Sequence, residues 1–416
     1  MTPRSLKTGY FFLEGLNSAS TTYYFYWLYF FMEKAFGFGN QANLELAAMT
    51  GLICVVAAWQ GGKFAQRFGY FTALKLGFSI MLLAMLIGPH VNSARGQIVV
   101  VAFTVVGMCF TWATLEALVS ENETPAGLQR MVGIYNVVWA GTGALAYFAG
   151  GAMLDELGMN SLFYVPAAIL AIQLALTLWL GSKLRAASSD PGAPASLPVN
   201  RGSQYAGKVA GAPVVVDSHP PLNPRPIVRA RTFLRLAWFA NPFAYIAINT
   251  LIALMPGFAK RLDLSTTLAG FCCSLWCFAR AGAFFGLWLW SGWHYRFRWL
   301  LVAFLSMIGA FLLILLIPNL AVFVLAQMIF GAALGLIYYS SLFYSMDISE
   351  TKGEHGGIHE AAIGLGNFAG PAIGATFLHF LPGYPSSGGL AVAGLLIAGL
   401  FGLGAIWQTR ARPLLS

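Results

Sequence analysis

Twelve long apolar runs joined by short polar turns leave this chain one kind of solvent to fold in, and it is not water. They fall at roughly 9–32, 43–61, 72–89, 97–119, 131–153 and 161–181, then 234–257, 267–290, 299–317, 319–346, 357–381 and 388–408. About twenty helical residues, rising 1.5 Å each, span a hydrocarbon core of about 30 Å. In lipid every backbone N–H and C=O needs an internal partner, so only helices or closed barrels cross. The runs are continuous, not alternating pieces of about ten residues, which selects helices. With 58% hydrophobic and 9% charged residues, the composition excludes a soluble surface, which carries about a quarter charged residues. The predicted fold is an all-α membrane protein of twelve transmembrane helices. Its start, with Arg4 and Lys7 ahead of Glu14 and no small-residue cleavage site, reads as a retained first helix, not a removed leader.

The net charge of +9 would suggest nucleic acid in a soluble protein, but its distribution gives it another meaning. With the N-terminus inside, 19 Lys and Arg fall on cytoplasmic segments and 4 on outer loops, with Arg280 left within a helix. This bias orients helical bundles, so both termini are expected in the cytoplasm and no nucleic acid is expected as a partner. The five cysteines (Cys54, Cys109, Cys272, Cys273, Cys277) all lie in apolar runs. They read as packing residues; no metal set and no cofactor motif is present.

Residues 184–230 differ in kind, with eight of the nineteen prolines and no apolar period. They read as a cytoplasmic linker between two six-helix halves, 1–183 and 231–416. A shift of 224 residues superposes landmarks of the halves: Asn17 on Asn241, Gly62 on Gly286, Glu123 on Asp347, Asn136 on Glu360 and Gly150 on Gly374. Repeated halves around a midplane site are a recurring transporter design.

After the second run the chain reads GGKFAQRFGYFTAL. This resembles the signature between helices two and three of the major facilitator superfamily, with Gly62, Ala65, Arg67 and Gly69 in matching positions. Gln66 stands where the family has Asp, and Tyr70-Phe71 replace a basic pair. In the family that Asp is thought to hold neighbouring helix ends together, so Gln66 implies a gate built on other contacts. Glu121, Glu123 and Arg130 are available to meet Arg67 or Lys63. A second stretch, GLGNFAGPAIGA from Gly364, resembles the family's Gly-Pro antiporter motif. It lies on the eleventh span instead of the fifth, so no export direction carries over.

Ionisable groups at membrane depth are costly, by about 2.5–3.5 kcal/mol on insertion scales, and mark function by default. Arg280 is the clearest, suited either to a carboxylate or phosphate of a solute through paired hydrogen bonds or to a fixed structural pairing with an inner carboxylate. Glu14, Asn17 and Thr21 form a polar stripe on span one; Asn241, Tyr245 and Asn249 form one on span seven. Glu116, His359 and Glu360 lie near the cytoplasmic side, with Asn367 on the face of Glu360 and Asn136 at its repeat position. Proton uptake is expected at Glu14, Glu116 or Glu360. The aromatic run Tyr23–Phe31 reads as an interfacial belt, as do Trp293, His294 and Tyr295 on the cytoplasmic side.

The function expected is secondary active transport of a small polar or anionic solute by alternating access, with protons as a coupling ion. The setting expected is a bacterial inner (plasma) membrane, and the state a monomer. The competing reading is a non-transporting sensor or scaffold, favoured by Gln66 and the linker. An intramembrane enzyme is disfavoured: no HExxH, no Ser/His/Asp set and no nucleotide loop appears.

Overall fold

Thirteen α-helices build the described part of the protein in the computed structural model, which covers residues 3–121, 123, 125–188, 227–348 and 352–411. The first half holds α1 (Pro3–Phe36), α2 (Asn40–Phe68), α3 (Tyr70–Ile87), α4 (Ala94–Ser120), α5 (Pro125–Leu157) and α6 (Ser161–Ser188). The second holds α7 (Ile227–Arg261), α8 (Thr266–Cys273), α9 (Leu275–Leu289), α10 (Phe297–Leu316), α11 (Leu320–Ile348), α12 (Lys352–Phe380) and α13 (Ser387–Ile406). Helices α8 and α9 are two parts of the eighth span, so twelve spans stand, and no strand occurs among the described residues. The core of the linker, 189–226, lies outside the described residues.

Eleven of these spans are apolar enough by composition to cross a membrane, and α1 is the exception. Its deficit comes from a polar stripe that lipid never meets. Glu14, Asn17, Ser18, Ser20 and Thr21 are each no more than 2% exposed, so α1 is a central helix carrying its polar face inward. Large apolar side chains such as Leu52, Phe103, Leu145 and Phe401 point outward instead, the arrangement expected where lipid is the solvent.

The halves meet along α2 with α12 and along α5 with α8 and α9, while α1 and α2 also touch α7. Small residues permit these approaches. A Cβ at Gly51 would strike the backbone of Asn367 and Phe368 on α12, and one at Gly366 would strike the Pro242 carbonyl on α7. The Gly-Pro stretch of span eleven therefore wedges α12 between α2 and α7.

The sequence gives no Pro or Gly at the break in span eight. It falls at Ser274, which stays in the right-handed region at φ −86 and ψ −11 but interrupts the regular helix between α8 and α9. Gln327 on α11, wholly buried, donates to the Cys272 carbonyl at 2.7 Å, giving a carbonyl beside the break a partner, as lipid-depth backbone requires.

At the ends of α2, α4 and α9 three expectations are corrected. The stretch GGKFAQRF is not loop but the last turns of α2; the connection to α3 is Gly69 alone, at φ +93, a region that favours glycine. Lys63 and Arg67 do not take the acidic turn: they lie over the rings of Trp59 and Phe68. Lys7 takes it, bonding the carbonyls of Val119 and Glu121 at 2.6 and 2.8 Å and the Glu123 carboxylate at 3.0 Å. Burial pushes the Glu121 carboxyl above its ordinary range, and Lys7 opposes that rise. Finally, Trp293 and Tyr295 are no headgroup anchors. They are 1% and 4% exposed and pack on Tyr339, Phe343 and Tyr344 of α11. The Tyr344 hydroxyl accepts from the Tyr295 N–H at 2.9 Å, where Tyr295 turns at φ +53.

Candidate functional site

Between the halves lies a cavity of about 110 Å³ lined from α1, α2, α4, α5, α7, α9 and α12. Its one cationic lining residue is Arg280, 6% exposed. The α8–α9 break precedes it by six positions, so α9 alone sets its direction. The guanidinium carbon sits 4.3 Å from the ring centre of Trp139 on α5 and 4.8 Å from that of Trp276, one turn earlier on α9. Each indole is backed in turn: Tyr338 of α11 stacks on Trp139 at 5.3 Å and 12°, and Tyr26 of α1 stacks on Trp276 at 5.8 Å and 24°. A cation layered into aromatic faces is held by their quadrupoles, worth about 2 kcal/mol or more where water is excluded. Ser18 fixes the Trp139 backbone by donating to its carbonyl at 2.6 Å.

No carboxylate among the described residues lies within ion-pair distance of Arg280. Its Nε is buried without a hydrogen-bond acceptor, and the hydroxyls of Tyr26 and Tyr245 are its polar neighbours. A buried guanidinium left this way has donors to spare for a bound anion.

The two polar stripes come to the same place. Thr21, Tyr245 and Asn249 line the cavity with Glu360 and Asn367. Asn249 donates its amide N–H to the Asn367 side-chain carbonyl, tying α7 to α12. Asn17 accepts from Thr111 at 3.3 Å, so it braces α1 against α4. Asn136 and Asn241 are buried, and neither side chain finds a hydrogen-bond partner among the described residues; both stand back from the cavity wall.

Glu14, Glu116 and Glu360 converge from α1, α4 and α12, close enough to sense one another's charge. Glu14 is wholly buried, with neither oxygen hydrogen-bonded in the described structure, and Tyr135 is its polar neighbour. Of the three, Glu360 lines the cavity. The side chain of His359 lies outside the described residues. In the gating set Gly62 is half-buried in α2, Gln66 and Arg67 are exposed, and Arg130 is exposed on α5. Among the described residues no group of three or more His, Cys, Asp or Glu could hold a metal.

The reading of Tyr23–Phe31 as an interfacial belt is overturned. Tyr23, Tyr24, Trp27 and Tyr29 are each at most 3% exposed, and Phe25, Tyr26 and Tyr29 face the cavity. Trp139, Trp112 and Tyr338 were not singled out by the sequence at all. The available signal was their mid-span depth, since interfacial aromatics belong at span ends.

Three solved transporters share this architecture at low identity, which speaks to the fold alone. The nucleoside transporter NupG superposes with a TM-score of 0.67 at 13% identity, covering 97% of this chain and 99% of its own. The human organic anion transporter MFSD10 (TETRAN) gives 0.65 at 15%, covering 97% and 100%. A bacterial homologue of the human lysosomal transporter Spinster, inward-facing and unoccupied, gives 0.62 at 14%, covering 98% and 96%. A search of curated proteins found no match. The family model of the Major Facilitator Superfamily matches residues 10–371, from the first span through most of the eleventh. By that match, and by twelve spans in two halves around a central cavity, the chain is an integral, multi-pass membrane transporter belonging to the Major Facilitator Superfamily.

Proposed function

We propose that the protein is a secondary active transporter that moves a small anionic solute by alternating access and draws on a proton gradient. The observation that carries this reading is Arg280: a buried guanidinium in the cavity between the halves, without a carboxylate partner among the described residues. A permanent charge held at membrane depth costs several kcal/mol, and an anionic solute would offset that cost when bound. The carboxyls of Glu14, Glu116 and Glu360 support the proton component, because the charge neighbours of Glu14 and Glu360 are themselves acidic groups. The Lys and Arg distribution supports both termini and the 184–230 tether in the cytoplasm; the setting we propose is a bacterial plasma membrane. The halves 1–183 and 231–416 are the bodies that rock about the cavity, within a single chain acting as a monomer.

The test pairs ligand-induced thermal stabilisation, screened over small organic anions, with two variants. Arg280→Ala should weaken the best anion by about 30-fold or more, the loss typical when one partner of a buried charge pair is truncated. Arg280→Lys keeps the charge and loses the planar fork, so an intermediate loss of about tenfold is expected. If both variants unfold at the parental temperature and bind like the parent, Arg280 is no ligand and the anion reading falls. Saturable uptake of the same anion into proteoliposomes separates a transporter from a sensor that kept the fold.

A further inference from the structure

We infer that the solute is a small planar aromatic monocarboxylate, one ring bearing one acid group; the inference rests on the anionic-solute reading above. Four observations converge on that class.

Size comes first. The cavity measures about 110 Å³, below the about 150 Å³ of an engineered protein cavity that accommodates benzene. A single ring is therefore the most this state approaches, and only with adjustment of the lining side chains, which excludes dinucleotides, disaccharides and multi-ring dyes.

Charge comes second. Arg280 is the one Lys, Arg or His among the described lining residues, and Glu360 shares the cavity. A second negative charge on the solute would face a carboxyl with no cation of its own, in a medium where unpaired charge is expensive. A monoanion fits.

The third observation is how the guanidinium is presented. With the indoles of Trp139 and Trp276 packed against it, Arg280 offers its N–H edge, and a carboxylate meets that edge with two parallel hydrogen bonds in one plane. In a conjugated acid the ring lies in the plane of its carboxylate. Such a solute continues the plane of the guanidinium into the cavity without turning.

The wall is the fourth. Phe25, Tyr29, Trp112 and Tyr245 supply rings around the remaining space, and ring–ring contacts add about 0.5–1.5 kcal/mol beyond area burial. Of the polar lining, Asn249 and Asn367 bond one another and Ser18, Thr21 and Thr50 donate to backbone carbonyls, which leaves fewer free groups than a sugar would ask for.

The experiment uses the purified full chain in lipid nanodiscs, with dissociation constants from thermal shift and tryptophan fluorescence. The probes are benzoate, cyclohexanecarboxylate (same size, no π face), benzamide (same ring, no charge), phthalate (a dianion) and phenylglycine (a zwitterion). Benzoate should bind about tenfold tighter than cyclohexanecarboxylate, and the other three should bind at least tenfold more weakly than benzoate. Trp112→Leu, at a wall ring that does not carry Arg280, should shrink the tenfold preference for benzoate over cyclohexanecarboxylate toward equality; Trp112→Phe should keep most of the preference. A merely structural role for Trp112 would weaken both acids by the same factor, keep the preference and count against the inference. Equal binding of the two acids overturns the aromatic class and leaves the anionic reading standing. Tighter binding of phenylglycine or phthalate also overturns it, replacing the monoanion with a zwitterion or dianion. Benzamide binding with benzoate silent overturns the anionic reading as well. Silence of all five overturns the class, with the wider anion screen on Arg280→Ala deciding the parent reading separately.

Discussion

Gly51→Leu is expected to abolish transport and to leave little folded protein after solubilisation. The reason lies at the closest seam between the halves. Where α2 crosses α12, even one carbon added at Gly51 meets the main chain of Asn367 and Phe368, not the tip of a side chain that could swing away. Overpacking a fitted interior costs about 1–3 kcal/mol where side chains can adjust, and here a helix must move. Whole domains are stable by only about 5–15 kcal/mol, so four added carbons consume a large share. The displaced helix is also the one that brings Glu360 and Asn367 to the cavity. Gly309→Leu on α10 is the matched control: nothing lies within 4 Å of its built Cβ, and the position is exposed. It should give parental yield, melting temperature and uptake. A Gly51→Leu protein that melts and transports like the parent would show that the α2–α12 contact is looser than the structure has it.

Glu360→Gln should erase accumulation driven by a pH gradient while sparing exchange of solute across equal pH. A carboxyl that carries a proton through the cycle must reach water on the transport path in some state. Glu360 lines the cavity, whereas Glu14 and Glu116 lie behind the wall. One pH unit is worth about 1.4 kcal/mol per proton, enough for about tenfold accumulation if one proton accompanies each solute. The parent, with an acidic outside, should approach that ratio in proteoliposomes; the variant should stop near equality. Gln keeps the shape and hydrogen-bonding reach of Glu, so counterflow of labelled solute should persist. Glu14→Gln and Glu116→Gln should slow the driven component without removing it. Parental accumulation in all three variants would sink the proton role.

Much of the architecture was legible because lipid imposes simple rules. Each of the twelve apolar runs became a span, since no other structure satisfies the backbone at that depth. Arg280 and the three glutamates stood out for the same reason: charge is rare there. What escaped the sequence was neighbourhood. The stretch from Tyr23 to Phe31 is equally aromatic whether it faces headgroups or the protein interior, and hydropathy does not separate the two. Only the packing of α1 among its neighbours reveals that Tyr26 backs Trp276. The Arg280 stack draws on α1, α5, α9 and α11, so no single periodicity carries it. The break at Ser274 was equally silent, because its compensation, Gln327, comes from 53 positions downstream. The polar stripes of spans one and seven were readable as stripes, yet the sequence did not separate Thr21, Tyr245 and Asn249 at the cavity from Asn17 and Asn241 behind it.

The turn after α4 in the first half and the turn after α9 in the second are fastened by different forces. In the first half the fastening is Lys7 on Glu123 and on two carbonyls, with both charged side chains partly open to solvent at 19% and 22%. In the second half it is Trp293 and Tyr295 sunk among the rings of α11. Dissolved salt weakens the former, because the screening length shrinks from about 10 Å at 0.1 M to about 3 Å at 1 M, and tightens the latter if the anion is a kosmotrope such as sulfate. A sulfate salt therefore acts unequally on the two halves, loosening the contact beside α4 while stiffening the one beside α11.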